Sequence, residues 1–174
     1  MKKIAIVLTL ALCLSLFAGC GGNATETTPT LTAPEGTTEE LMNKLYENVT
    51  VELPLMTMPV DLTDEYAVSA YLGLEGADAV KEASFSESMI GAQAYSVVLV
   101  RLNDAAQAET VAKAMFDNID TRKWICVEAT EKQAVVCGDL VLFVMLNPEY
   151  GVTCDQIVQS FTTVCGGTVG TVLK

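Results

Sequence analysis

Apolar residues recur along this chain with two spacings, one typical of helices and one typical of strands. Leu41, Leu45 and Val49 recur at every fourth residue, whereas 97–100 is a continuous β-prone run. The first spacing gives a helix one apolar face, and short apolar runs are typical of covered strands. The pattern predicts helices over about 38–48, 64–72, 105–118 and 151–164. It predicts strands over about 79–88, 95–102, 124–129, 134–137 and 140–146, with an irregular or edge segment over 51–62.

Polar residues and glycines mark the ends of these elements. Thr37 and Glu40 have the spacing of a capping box, which begins a helix. Gly73 follows the second helix, where glycine is common because it tolerates positive φ. Gly138-Asp139 suits a two-residue turn of type II′, which wants glycine first.

The order of elements predicts the fold class. It reads helix, strand, strand, helix, three-strand meander, helix. We therefore expect an α+β domain with an antiparallel sheet of about four to five strands and helices packed mainly on one face. Its predicted limits are residues 37–167, followed by a C-terminal tail over 168–174.

The first 19 residues have the features of a lipoprotein signal peptide. Lys2 and Lys3 precede the apolar segment Ile4–Phe17, which is shorter than the roughly 20 residues of a membrane-spanning helix. The segment ends in Leu-Phe-Ala-Gly-Cys, which resembles a lipobox although Phe17 replaces the usual Leu. That resemblance implies attachment of diacylglycerol to Cys20 and cleavage before it.

Residues 20–36 are predicted to be the lipid anchor and a flexible linker, because Gly, Thr, Pro and Ala dominate the segment. Loss of Lys2 and Lys3 with the signal leaves 8 basic and 22 acidic side chains, so the net charge of −12 becomes −14. Such a chain repels nucleic acid and anionic headgroups. We expect an exported protein, anchored on the outer face of the cytoplasmic membrane through Cys20.

Four cysteines remain in the predicted domain. If 130–133 is a turn between two strands, Cys126 lies opposite Cys137 within disulfide range. The alternative is two reduced, small apolar residues in the core. Cys154 and Cys165 lie eleven residues apart on one helical face and are interpreted as core residues.

Motifs for catalysis are scarce. The chain has no histidine, which removes the commonest general base and metal ligand, and no phosphate-binding or calcium-loop motif occurs. No cofactor or metal site is therefore predicted. Asp61, Asp64 and Glu65 could serve a two-carboxylate hydrolase, but a loop and a helix start explain them more simply.

One basic and aromatic cluster stands out in this acidic domain. Arg122, Lys123 and Trp124 are adjacent and could contact an anion or a sugar face, although a solvated loop is the plainer interpretation. Ser86–Met89 could form a polar rim beside the strands, or simply a turn.

Three stretches together resemble one family of bacterial lipoproteins. They are Ser86–Arg101 (SESMIGAQAYSVVLVR), Arg122–Val127 (RKWICV) and Gly138–Met145 (GDLVLFVM). With the signal and the chain length, they resemble the uncharacterised lipoproteins grouped as domain of unknown function 4358, typical of anaerobic Firmicutes. The resemblance covers about Thr38–Phe161 and implies one compact domain at the cell surface. It implies no activity, so no functional residue is carried over.

The tether, the linker and the missing histidine favour a non-catalytic binding or accessory module of the cell envelope. Two alternatives stay open at this point. One is a disulfide-bearing or redox-active envelope protein that uses Cys126 and Cys137. The other is a carboxylate-based envelope hydrolase. Neither the ligand nor the partner follows from the sequence.

Overall fold

A computed structural model describes residues 31–174, which form an α+β domain on one antiparallel sheet. The predicted class is therefore confirmed. Within these residues the sheet has six strands, where four to five were expected. The predicted signal, Cys20 and most of the predicted linker fall in residues 1–30 and lie outside the described part of the chain.

The strands follow the predicted apolar runs with two exceptions. They are β1 (Leu55–Pro59), β2 (Val80–Ser88), β3 (Tyr95–Leu102), β4 (Glu131–Cys137), β5 (Leu140–Leu146) and β6 (Val172–Leu173). Their order across the sheet is β1-β2-β3-β5-β4-β6, and each neighbouring pair is antiparallel. β5 is buried on both faces, as its continuous apolar sequence predicts.

The helices begin at polar caps. They are α1 (Thr38–Glu47), α2 (Glu65–Ala67, continued by a π-helical turn over Val68–Leu72), α3 (Ala108–Asn118) and α4 (Cys154–Val164). Thr37 and Glu40 form the predicted capping box of α1, with bonds of 2.9 and 3.2 Å. α4 begins with a second box, in which Thr153 and Gln156 bond each other's backbone N–H. Gly73 ends the π-helical turn at φ 63°, as its position predicts.

Helices cover both faces of the sheet, so the prediction that they pack mainly on one face is wrong. Successive residues of a strand point to opposite faces. On β5, Phe143 points toward a core closed by α2 and α3, which we call the α3 face. Leu142 points toward a core closed by α1 and α4, the α1/α4 face. An alternating strand would need only one cover, but β5 is apolar at every position and therefore needs two.

Residues 124–129 form a loop, so the predicted strand there is wrong. Asp120 accepts the backbone N–H of Arg122 at 2.9 Å, and Cys126 takes a left-handed φ of 64°. That φ cannot belong to an extended strand. β4 pairs with β5 across the predicted turn, but it begins at Glu131 rather than at Ala134 and so includes most of the predicted polar turn. Its other edge pairs with β6 instead of with residues 124–129.

The predicted C-terminal tail belongs to the sheet. Val172 and Leu173 form β6, which pairs with Val135 and Ala134 of β4. The N-terminal segment 31–36, predicted to be part of the linker, also lies on the domain. It contacts the Gly138–Asp139 turn, where a Cβ on Gly138 would lie 2.6 Å from the backbone nitrogen of Ala33. Gly138 has φ 60°, in keeping with the predicted turn.

The register gives the sheet two distinct ends. At the tether end, Arg101 pairs with Leu140 and donates to the carbonyls of Pro34 and Gly36, which holds residues 31–36 against the domain. At the opposite end, which we call the loop end, Tyr95 pairs with Leu146 and Leu146 with Glu131. The loop end carries three loops, 89–94, 121–130 and 147–153. None of the helices in residues 31–174 has the length and apolar character needed to cross a bilayer.

Candidate functional site

Three loops meet at the loop end and are tied to one another by hydrogen bonds. Asn147 donates its backbone N–H to Ala94 at 2.9 Å, and the Tyr150 hydroxyl donates to the Ala92 carbonyl at 3.2 Å. Thr130 donates its N–H to Leu146 at 3.1 Å. Because each loop is bonded to the sheet or to its neighbour, their side chains are presented in a defined arrangement.

Lys123 turns inward from the 121–130 loop and forms a buried ion pair with Glu87. Only 17% of the Lys123 side chain and 16% of the Glu87 side chain are exposed. The ammonium also donates to the hydroxyl of Ser96, the cross-strand partner of Glu87, at 3.2 Å. Burial lowers the pKa of Lys123, while Glu87 acts in the opposite direction. The ion pair therefore attaches the loop to strands β2 and β3.

Aromatic rings surround this ammonium. It lies 4.6 Å from the ring centre of Tyr71 and 5.4 Å from that of Trp124, both cation–π distances. Tyr71 stacks on Phe85 with centroids 4.2 Å apart. Burial, reinforced by the charge of Glu87, raises the pKa of Tyr71 to about 12. A cation already enclosed by two rings and a carboxylate is a structural element and is not available to an anionic ligand.

Of the other two residues of the predicted cluster, Arg122 is exposed and Trp124 packs half-buried against the α3 face. Arg122 and Trp124 line an open depression of about 400 Å³, together with Cys126, Val127 and Glu128. Arg122 Nε bonds a carboxylate oxygen of Glu128 at 2.9 Å, and its side chain is 75% exposed. The three residues therefore stay close together, but Lys123 turns inward while the side chain of Arg122 stays in solvent.

Apolar side chains are exposed at the same end of the sheet. Ile125 is 79% exposed in the 121–130 loop, and Met89 is 67% exposed in the neighbouring loop with Ile90 beside it. Isolated exposed apolar residues are ordinary, but large ones on adjacent loops are typical of interaction surfaces. Of the predicted polar rim, Ser88 bonds Gln93 at 2.5 Å and Ser86 is buried, so only Met89 faces solvent.

A larger depression, of about 540 Å³, lies between the end of α1 and the outer side of α4. Its lining is polar and nearly uncharged, with Glu52 as its one acidic residue. The lining residues include Asn48, Thr50, Gln156 and Gln159. It contains none of the residues that the sequence singles out, and no ionisable pair converges on it.

The cysteine prediction rested on two facing strands, and that premise is wrong. Cys126 is exposed in the 121–130 loop, whose Trp124 and Val127 pack on the α3 face. Cys137 is buried on the α1/α4 face and lies opposite Leu140 in the sheet. The sheet therefore separates the two thiols, and both are free. Cys154 is buried in the core as predicted, and burial raises its pKa to about 12.

Two of the three carboxylates considered for hydrolysis have local hydrogen-bond partners, and the third, Glu65, lies in the first turn of α2. Asp61 accepts from the backbone and the hydroxyl of Thr63 at 2.9 and 2.7 Å, and these bonds lower its pKa. Asp64 caps α2 by accepting from Tyr66 at 2.9 Å. Within residues 31–174, no group of three or more potential metal ligands comes together. These contacts are those of a turn and a helix N-cap.

The sequence interpretation did not identify Glu87 and Tyr71 as partners of Lys123. A signal for Glu87 exists, because Ala83, Phe85 and Glu87 alternate along β2 and therefore share its α3 face. A buried carboxylate at the end of an apolar face is stabilised by a cation, and Lys123 supplies that cation.

Comparison with protein-family models, with curated proteins and with solved structures finds no match. The resemblance to domain of unknown function 4358 stays a prediction.

Proposed function

We propose that this protein is a non-catalytic binding module of the cell envelope, anchored through lipid on Cys20 and presenting its loop end to a partner. The proposal rests on one observation: the tether segment and the exposed apolar loops lie at opposite ends of the sheet. Residues 31–36 lie against the domain beside Gly138, whereas Met89 and Ile125 are exposed at the other end. An anchor joined to the first end leaves the second end free to meet a partner.

The charge of the domain supports the role assigned to the anchor. A net charge of −12, or −14 after loss of the signal, opposes adsorption to an anionic bilayer. Stable attachment by lipid takes two acyl chains, which a diacylglyceryl group supplies. The anchor then localises the protein on the outer face of the cytoplasmic membrane without help from the surface of the domain.

The chemistry of the loop end fits a protein partner better than a small ligand. Arg122 and Trp124 line its open depression, and Ile125 and Met89 are exposed elsewhere at the same end. Arginine, tryptophan and methionine are enriched in protein interfaces, where apolar side chains are buried at the centre. A complementary partner would have an apolar patch and a carboxylate that competes with Glu128 for Arg122.

Replacing Cys20 with alanine should release the protein from the membrane or leave it unprocessed, because the thioether bond can no longer form. The measurement is partitioning of the full chain between detergent and aqueous phases. Cys126→Ser is the matched control, since it removes an exposed thiol that is far from the signal, and should partition like the natural chain. Unchanged partitioning of the Cys20→Ala variant would show that lipid on Cys20 is not the anchor.

Photo-crosslinking tests the assignment of the loop end in cells that produce the protein naturally. A photoreactive residue at Ile125 should give a discrete crosslinked species, because that side chain is 79% exposed on the proposed surface. The matched position is Lys81, which is exposed near the tether end of β2 and should give none. Changing Met89 and Ile90 to serine should remove the Ile125 product. Equal products from both positions, insensitive to that change, would contradict the proposal.

A further inference from the structure

The thiols of Cys137 and Cys165 lie together on the α1/α4 face. Cys137 is the last residue of β4 and is fully buried there. Cys165 is the C-cap of α4 and packs half-buried against the same cluster. Each thiol is the largest single influence on the pKa of the other, because the two side chains are near neighbours in that cluster. A buried and a half-buried cysteine placed side by side make a pair that a disulfide oxidant can reach from one side.

The course of the chain after α4 explains why the two residues meet. Gly166 and Gly167 have φ of 78° and 94°, which reverse the chain at the end of the helix. The returning segment then forms hydrogen bonds with both backbone groups of one residue of β4, the N–H and the carbonyl of Val136. Gly170 donates to the Val136 carbonyl at 2.7 Å, and Val136 donates to Thr171 at 3.0 Å. Backbone pairing next to Cys137 therefore holds the end of α4 close to it.

The interaction between the thiols makes them chemically unequal. It lowers the pKa of Cys137, because the neighbouring Cys165 thiol stabilises the Cys137 thiolate. The same interaction, together with burial, raises the pKa of Cys165. The pair therefore holds one thiolate more readily than two isolated thiols would, and a thiolate is the species that attacks a disulfide.

We propose that Cys137 and Cys165 form a disulfide bond when the protein meets a disulfide oxidant outside the cytoplasm. The thiolate of Cys165, the half-buried member of the pair, attacks a sulfur of the oxidant, forming a mixed disulfide and releasing the first oxidant thiol. The second cysteine of the pair then attacks that mixed disulfide and releases the second oxidant thiol. The pair loses two protons and two electrons, and the oxidant is reduced to two thiols. The inference rests on the proposed function only in that export brings the protein to an oxidant. The pairing of Cys137 with Cys165 does not depend on export.

The crosslink would lie directly beneath the point where the tether leaves. Gly138 contacts Ala33 and Leu31, and Gly170 lies near the Leu31 side chain. The bond would join α4 to β4 and would hold the two-residue strand β6 against the sheet. Any pull transmitted through the tether would then reach a covalently closed part of the domain.

Peptide mapping after oxidation tests the pairing. The protein is extracted from membranes, treated with oxidised glutathione, alkylated under denaturing conditions and cleaved after aspartate and glutamate. Trypsin is unsuitable, because no lysine or arginine occurs between Lys132 and Lys174, whereas Asp139 and Asp155 separate the three cysteines of that region. We expect a peptide pair joining Cys137 to Cys165 and a mass lower by two hydrogen atoms. Two of the four thiols should be lost to alkylation.

Variants and a second sample separate the possible failures. Cys165→Ser should leave Cys137 open to alkylation, and reductant should lower the melting temperature of the natural chain but not of this variant. Cys126→Ser should leave the linked peptides unchanged. Absence of the linked pair after glutathione, or a pair that contains Cys126, would overturn the proposal. Cells whose free thiols are blocked with a thiol reagent before lysis test export separately. If the disulfide forms with glutathione in the extract but is absent from these cells, only the proposed export is contradicted.

Discussion

Replacing Lys123 with methionine should lower the free energy of unfolding by about 3 kcal/mol, because it leaves the Glu87 carboxylate buried without its cation. Methionine preserves much of the packing against Tyr71 and Trp124, so the loss reports mainly on the charge. Urea denaturation at neutral pH measures it. The 121–130 loop should also become more accessible to proteases, since the ion pair attaches it to β2 and β3.

The neighbouring residue provides a matched control for that prediction. Arg122→Met removes a cation from the same loop and breaks an ion pair of similar geometry, with Glu128 at 2.9 Å. Both of its side chains are more than half exposed, so its loss should change stability by less than about 0.5 kcal/mol. The double variant Lys123→Met with Glu87→Leu should recover most of the loss, because no buried charge is then left alone. Equal effects of the two single variants would contradict the structural role of Lys123.

Replacing Arg101 with leucine should cost about 3 kcal/mol and should also detach the tether segment. This buried guanidinium donates to both carboxylate oxygens of Asp139 at 3.0 and 3.1 Å. It donates as well to the carbonyls of Pro34 and Gly36 at 2.8 and 3.0 Å. Arg101 is therefore the residue through which the sheet holds residues 31–36. Chemical denaturation measures the first effect, and protease cleavage after the exposed Glu35 measures the second.

Further variants separate the two effects of Arg101. Arg101→Lys keeps a cation near Asp139 but cannot present the planar fork, so it should lose less stability while cleavage after Glu35 still rises, by roughly tenfold. Gly138→Ala should raise cleavage without removing a charge, because its Cβ would meet Ala33. Lys113→Met breaks an exposed pair with Asp117 and should change neither readout. Cleavage that is the same in all four proteins would show that Arg101 does not hold the tether.

Local signals were sufficient for the elements whose ends are capped. The box of Thr37 and Glu40 and the glycine at position 73 act within a few residues, so their geometry follows from the adjacent sequence alone. The continuous apolar run of β5 was likewise sufficient, because a strand with no polar face must be covered on both sides. Its second helical layer could have been inferred from the same run.

The candidate site depended on contacts between distant segments. Arg122, Lys123 and Trp124 are neighbours by adjacency, but only the pairing of β2 with β3 supplies the carboxylate that draws Lys123 inward. The apolar run around Cys126 has strand-like composition, yet its residues pack on the α3 face as a loop, and β6 pairs with the outer edge of β4 in their place. The composition of a segment shows how much apolar surface it can bury, but not whether an unpaired strand edge is available for it to pair with.

The sequence by itself determined the class of the domain, the positions of its capped helices and the core strands, and it predicts the lipid anchor at Cys20. Each of these depends on spacing or on chemistry within one segment. The tertiary structure alone decided that residues 124–129 form a loop, that Val172 and Leu173 extend the sheet, and that Cys137 lies near Cys165 rather than Cys126. These features arise from backbone hydrogen bonds and packing between segments far apart in the chain, which no local pattern records.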